Sequence, residues 1–291
     1  MSIDKLINLL ATVTLLEMMV MIGLGVSLSQ ISGVAKDVKL VTRALIGSYV
    51  LVPAVALGLL LAFRARPLVA AGFLMAAVCP GAPYGPPFTG LAKGKVPVAV
   101  GLMVVLAGLS AVLAPVLLGF MLPIVAGDQT IKADALKMLG TLLFSQFLPL
   151  CVGLAIRQKR PDLARKLEGP AKKVSTALNL LLLVIILTVQ WRMLASISAR
   201  GFFGMFLLVI ATFVIGWILG GRDIPTRRAV TAATSIRNVG VSLVLVTGSF
   251  PGTPAVSAAT AYALFQTILL AVVFLVWGKA IPGEQASRAA A

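Results

Sequence analysis

Histidine is absent from the 291-residue chain, cysteine occurs twice and acidic residues number nine. Each scarcity removes a class of chemistry. Without histidine there is no His/Cys metal site and no imidazole to activate a nucleophile. Cys79 and Cys151 both fall inside apolar runs, so a disulfide framework has no support. No two carboxylates share a predicted span, which leaves an intramembrane enzyme without a nucleophile, base or metal set, and no metal or cofactor is expected. Charge itself is scarce, at 12% of residues against 59% apolar. Soluble domains run near one quarter charged and one half apolar, so water is not this chain's main solvent.

What is abundant is long apolar sequence. A hydrocarbon core about 30 Å thick is crossed by roughly 20 apolar residues of helix, and such runs follow one another from Ile7 to Ile281. The predicted spans are Ile7 to Leu28, Ala44 to Phe63, Leu68 to Ala92, Pro97 to Pro123, Ala135 to Ile156, Ser175 to Met193, Phe202 to Gly220, Arg228 to Thr247 and Ala255 to Lys279. The first exceeds the apolar region of a signal peptide and is interrupted by Glu17, so it reads as a mature transmembrane helix. The expected class is therefore an all-α integral membrane protein of about nine helices. It forms one transmembrane domain over 1–291, with halves 1–156 and 174–291 joined by a basic cytoplasmic loop, 157–173.

The net charge of +16 is distributed in clusters between apolar runs and not along a polar face, which excludes nucleic acid as a partner and makes the charge topogenic. With the N-terminus outside, 17 basic residues fall on the inner side and 7 on the outer, with Arg237 the one left within a span. That asymmetry selects an N-out, C-in orientation. The 157–173 loop carries seven basic residues and two prolines, and a polybasic loop of this kind can also meet anionic lipid. The compact chain without a transit peptide points to a multi-pass protein of a bacterial inner membrane.

Two spans are interrupted. In Cys79 to Phe88, CPGAPYGPPF, Pro80, Pro83, Pro86 and Pro87 remove four backbone donors while Gly81 and Gly85 loosen the turns. A single proline would only kink a helix; four break it. Irregular backbone survives in a bilayer only where protein buries it or a cavity hydrates it. The eighth span carries Thr234, Ser235, Arg237, Asn238 and Gly240 in an apolar run. A charge at mid-bilayer costs on the order of 3 kcal/mol, so Arg237 faces the bundle interior or a wet cavity unless it snorkels to the cytoplasmic surface. One broken span lies in each half and the two run in opposite directions, the pattern of an inverted-repeat transporter. The expected substrate site lies between 80–89 and 234–240, with Tyr84, Gly85, Pro86, Thr89, Thr234, Ser235, Arg237 and Asn238 as candidate lining residues.

At these residues the sequence resembles the bile acid:sodium symporter family, whose first broken helix carries CPGG-x-x-SN-x-x-T-x-LA-[KR]-G. Here the stretch reads CPGAPYGPPFTGLAKG, and Cys79, Pro80, Gly81, Thr89, Leu91, Ala92, Lys93 and Gly94 match in register. MIGLGVSL, Met21 to Leu28, is similar to the family's MxGxGLxL, and RNVG at 237–240 falls at its Q-N-x-G run. The resemblance implies a panel domain and a core domain, two broken helices crossing in the core, and transport of organic anions by alternating access. It also exposes departures. The family's Ser-Asn pair corresponds to Gly85 and Pro86, its acid on the second broken helix to Ala233, and its Gln to Arg237. Ala99 and Met103 stand where hydroxyl residues often complete the sodium site.

A hard cation needs several oxygen ligands and usually a nearby negative charge. This chain has lost the acid and gained a cation, so sodium coupling by the family mechanism is not expected. The guanidinium of Arg237 is expected either to replace the bound cations and offer a counter-charge to substrate, or to act as a structural cation paired with carbonyls. Glu17, the one acid near the middle of a span, is a candidate proton carrier or ion-pair partner for Arg237, or a carboxylate with no transport role. Gln146, Asn179, Gln190 and Gln266 either line a pathway or bond neighbouring helices. The expected function is secondary active transport of a small organic anion. The alternatives are a sodium-coupled symporter with relocated ion sites and a passive anion channel.

Overall fold

The computed structural model describes residues 3–126, 134–195 and 197–279, and all its regular elements are helical. The first half runs α1 (Ile3–Gly25), α2 (Leu28–Ala35), α3 (Val38–Leu45), α4 (Val52–Ala62), α5 (Pro67–Ala77), α6 (Gly85–Leu91) and α7 (Val96–Ala126). The second runs α8 (Ala135–Leu142), α9 (Leu148–Lys159), α10 (Pro161–Ala195), α11 (Ala199–Leu219), α12 (Ile224–Ser235), α13 (Val239–Ser249) and α14 (Pro254–Lys279).

Seven helical stretches among the described residues are long and apolar enough to cross a membrane. They coincide with seven of the predicted spans. The third prediction corresponds to α5 and α6, which are separated by residues 78–84. The sixth lies in α10, where the side chains of Gln190 and Arg192 fall outside the described residues, as do those of Lys5, Lys132 and Arg288.

The stretch expected as a loop, 157–173, is mostly helix. Pro161 opens α10 at a position where a missing N–H costs nothing, and helix-forming Leu163, Ala164, Arg165, Lys166, Leu167 and Glu168 follow it. At 1.5 Å per residue the 35-residue α10 is about 52 Å long, well beyond the roughly 30 Å hydrocarbon core, so its basic first half stands outside the apolar layer.

Prolines also shape α3–α4 and α8–α9. Each pair is joined by a π-helical turn, Ile46–Leu51 and Leu143–Phe147, and each turn is followed by a proline, Pro53 and Pro149. Without an N–H, and clashing with the carbonyl four residues earlier, the proline widens the turn. The amide of Val52 consequently bonds Gly47 O, five residues back. Ser48 O is then left without its helical donor, and the next donor along would be Pro53.

Two groups of helices result. In one, α1 packs on α9 and α10, and the α1–α9 seam is close because both sides are glycine. A Cβ on Gly23 would stand 2.5 Å from Leu150 O, and one on Gly153 2.3 Å from Val20 O. In the other, α5 packs on α14 and α7, and α12 on α11 and α7. The α12–α13 stretch is the most enclosed, 89% buried where the other spans are 28–50% buried, which is the environment broken backbone requires. Asp223 caps α12 by accepting from Thr226 N at 3.1 Å. Bonding to the Thr226 side chain and amide holds its carboxyl below the usual carboxylate range.

Candidate functional site

The two broken helices meet at their interruptions. Lys95 N donates to Pro225 O at 2.9 Å, placing the exit of α6 beside the entry of α12. The first halves therefore approach from opposite sides, α6 against α12 and α5 against α13. Gly81 makes the first turn: its φ is +81°, and a Cβ there would stand 2.4 Å from the amide nitrogen of Ala107 on α7. Only glycine suits both conditions.

Asn238 joins the two breaks. Its amide donates to Cys79 O at 2.7 Å, and its side-chain Nδ2 donates to Gly81 O at 3.3 Å. Its Oδ1 accepts from Val241 N at 3.2 Å, capping α13.

Arg237 is wholly buried. Its guanidinium donates to Ser48 O at 3.3 Å, to Ala77 O at 3.2 Å and, more closely, to Thr234 O. All three are acceptors that regular helix would have used. Ser48 O is freed by the π-helical turn, while Ala77 O and Thr234 O are freed by the ends of α5 and α12. The charge therefore sits at two helix C-termini, the negative ends of their dipoles. No carboxylate pairs with it among the described residues. Around it the hydroxyls of Ser48, Thr234, Ser235 and Tyr262 and the Nε of Arg237 itself bond no described group.

Gln266 on α14 holds the backbone of Arg237 from both sides, accepting from its amide at 3.2 Å and donating to its carbonyl at 3.0 Å. Of its two expected roles, the structure shows a bond to a neighbouring helix. Gln266→Leu would leave a buried N–H and C=O unpaired, costing on the order of 2 kcal/mol. The check is the thermal midpoint of purified protein in detergent; an unchanged midpoint would mean the break finds its partners elsewhere.

The remaining predicted residues are spread more widely. Thr234 and Ser235 are buried beside Arg237, and Gly85 and Pro86 are buried at the start of α6, with Tyr84 half-buried. Thr89 is drawn away: its hydroxyl donates to Gly85 O at 2.9 Å, and its methyl lies beside Gly94 and Arg228 toward the other end of α12. Glu17 makes no ion pair with Arg237. Its carboxylate oxygens are buried without a hydrogen-bond partner, with Ser175 of α10 alongside. Next to it, Met18 reaches the start of α13 at Gly240. Gln146 bonds Ser110 Oγ at 2.7 Å and Ala107 O, and Asn179 donates to Ser175 O at 2.7 Å.

Ser48 and Tyr262 were not among the sequence candidates. The signal for Ser48 was Pro53, five residues later, whose missing N–H frees a carbonyl; Tyr262 carried none.

Two comparisons bear on this arrangement. Residues 12–218 match the Sodium Bile acid symporter family, a stretch that includes the first broken helix and ends before the second. Over 294 aligned positions, 94% of this chain and 85% of the relative, the sequence is 24% identical to "Uncharacterized sodium-dependent transporter YocS" of Bacillus subtilis (strain 168). The apolar helices, the first broken-helix motif and a family match across most of its length together make this chain a multi-pass membrane transporter belonging to the Sodium Bile acid symporter family.

Proposed function

We propose that this protein is a secondary carrier of a small organic anion, working by alternating access without the family's sodium mechanism. In this reading it has nine spans, N-out and C-in, in a bacterial cell membrane. Helices α1, α8–α9 and α10 form a panel, and α3–α7 with α11–α14 form a core. The substrate meets the crossover from the panel side, where α1 packs on α13. The observation that carries the reading is the burial of Arg237 on three carbonyls with no carboxylate partner among the described residues. Ends of broken helices and freed carbonyls are where such carriers coordinate a coupling cation, and here a fixed guanidinium occupies those acceptors. Its charge adds a positive potential for an anion nearby.

The test is thermal stability of the purified protein against a panel of carboxylates and sulfonates, in sodium or in choline buffer. A ligand that binds only the native state raises stability by RT ln(1 + [L]/Kd). An anion that stabilises equally in both buffers is the expected result. Stabilisation by sodium alone would return the sodium-coupled alternative, which the name of the Bacillus relative favours.

Glu17 is the proton site of this proposal, since it is a buried carboxylate with no cationic partner among the described residues, beside Ser175 of α10 on a helix whose neighbouring Met18 reaches the start of α13. Glu17→Gln is expected to abolish pH-gradient-driven accumulation in proteoliposomes while leaving anion stabilisation in place. Accumulation at the wild-type rate would remove Glu17 from the mechanism.

A further inference from the structure

A sizeable cavity lies away from the crossover. It has a volume of about 570 Å³ and lies between α4, α5, α11 and α14, at the end of the bundle where α5, α11 and α14 begin. Its size is in the range that holds small-molecule ligands, roughly 300–1,000 Å³.

Its chemistry is divided. The body is apolar, walled by such residues as Leu59, Leu60, Phe73, Met205 and Leu208. Two guanidiniums, Arg66 and Arg200, also line it, and both residues are exposed. Arg66 lies in the short turn before α5 and Arg200 in the first turn of α11. Arg200 is held toward the cavity by Phe63, whose ring centroid is 5.7 Å from the guanidinium carbon. No acidic residue lines the cavity, and neither arginine pairs with a carboxylate among the described residues. The helix starts add their own partial positive charge to the same end.

A purely apolar void would accept any hydrocarbon, and a purely cationic patch any anion. Two guanidiniums with no carboxylate partner among the described residues, beside a half-open apolar volume, select a molecule having both parts. A guanidinium matches carboxylate and phosphate oxygens alike. We infer that this cavity is a binding site for an anionic amphiphile, its carboxylate or phosphate between Arg66 and Arg200 and its hydrocarbon chain in the apolar body. The site is separate from the crossover and does not depend on the transport reading.

The experiment measures thermal stabilisation of the delipidated full-length protein by oleate and by dioleoylphosphatidylglycerol. Oleyl alcohol and dioleoylphosphatidylcholine serve as controls with the same chains and no net charge. Stabilisation of several degrees by oleate, phosphatidylglycerol or both, well above the controls, is expected. Oleate alone would assign the site to free fatty acid, and phosphatidylglycerol alone to bilayer lipid.

Two variants separate the halves of the site. Arg66→Gln/Arg200→Gln alters exposed side chains and is expected to weaken the anion effect about tenfold or more, with the ligand-free midpoint unchanged. Gly204→Phe fills the apolar part, because a Cβ at Gly204 meets only the Phe63 ring at an ordinary 3.7 Å and further atoms extend into the cavity. It is expected to remove stabilisation by every chain-bearing anion. Equal stabilisation by the controls, or an undiminished effect in both variants, overturns the assignment.

Discussion

Arg237→Ala is expected to abolish transport and to lower stability by about 3–5 kcal/mol, the scale for removing one side of a buried charged arrangement. The substitution strands Ser48 O, Ala77 O and Thr234 O together, and each unpaired buried acceptor costs on the order of 1–3 kcal/mol. Relief of the guanidinium's own desolvation offsets part of that sum. The companion variant tests what the guanidinium replaces. Ala233→Glu/Arg237→Gln puts an acid and a neutral amide at the positions where the sequence resemblance implies that the family carries them. Its thermal midpoint is expected to recover in sodium and not in choline. A midpoint indifferent to sodium, or an Arg237→Ala protein as stable as wild type, would mean that these carbonyls do not form a cation site.

Gly81→Ala is expected to be nearly as damaging although it adds one methyl group. A side chain at φ +81° costs about 1–2 kcal/mol in backbone strain. The new Cβ would also lie 2.4 Å from Ala107 N, and relieving such an overlap in a packed interior costs about 1–3 kcal/mol. Because Gly81 O receives the Asn238 side chain, any shift of the turn loosens the joint between the two broken helices. Thermal unfolding of the purified variant should show a clear fall in midpoint, with ligand stabilisation weakened beyond that fall. Wild-type stability would mean that the turn relaxes without cost and that its position is not set by α7.

The first break was legible because four prolines within eight positions leave no helical alternative. The second has no proline, and the polar run from Thr234 to Asn238 announced it instead. What the sequence could not reveal was which acceptors Arg237 uses. Two of them lie 189 and 160 residues away, and one is acceptor-competent only because of a π-helical turn. Thr89 was grouped with the site because it sits in the motif, yet α6 continues a further turn and carries it toward Arg228. The 157–173 stretch was misjudged because Pro161 reads equally well as a terminator and as a helix opener; the helix-forming residues after it decide the matter. The apolar cavity beside Arg66 and Arg200 had no linear signature at all, being assembled from four helices across both halves.

The widened turn in α3–α4 makes one span's curvature part of another span's electrostatics. If that turn were to straighten into ordinary helix, the Val52 amide would reclaim Ser48 O and the guanidinium would have to share that oxygen with it. If the guanidinium were to withdraw, Ser48 O would favour the regular turn. The geometry of the second span and the seating of the charge are thus linked through one carbonyl oxygen. A movement that reaches either end of this linkage is felt at the other without passing through substrate.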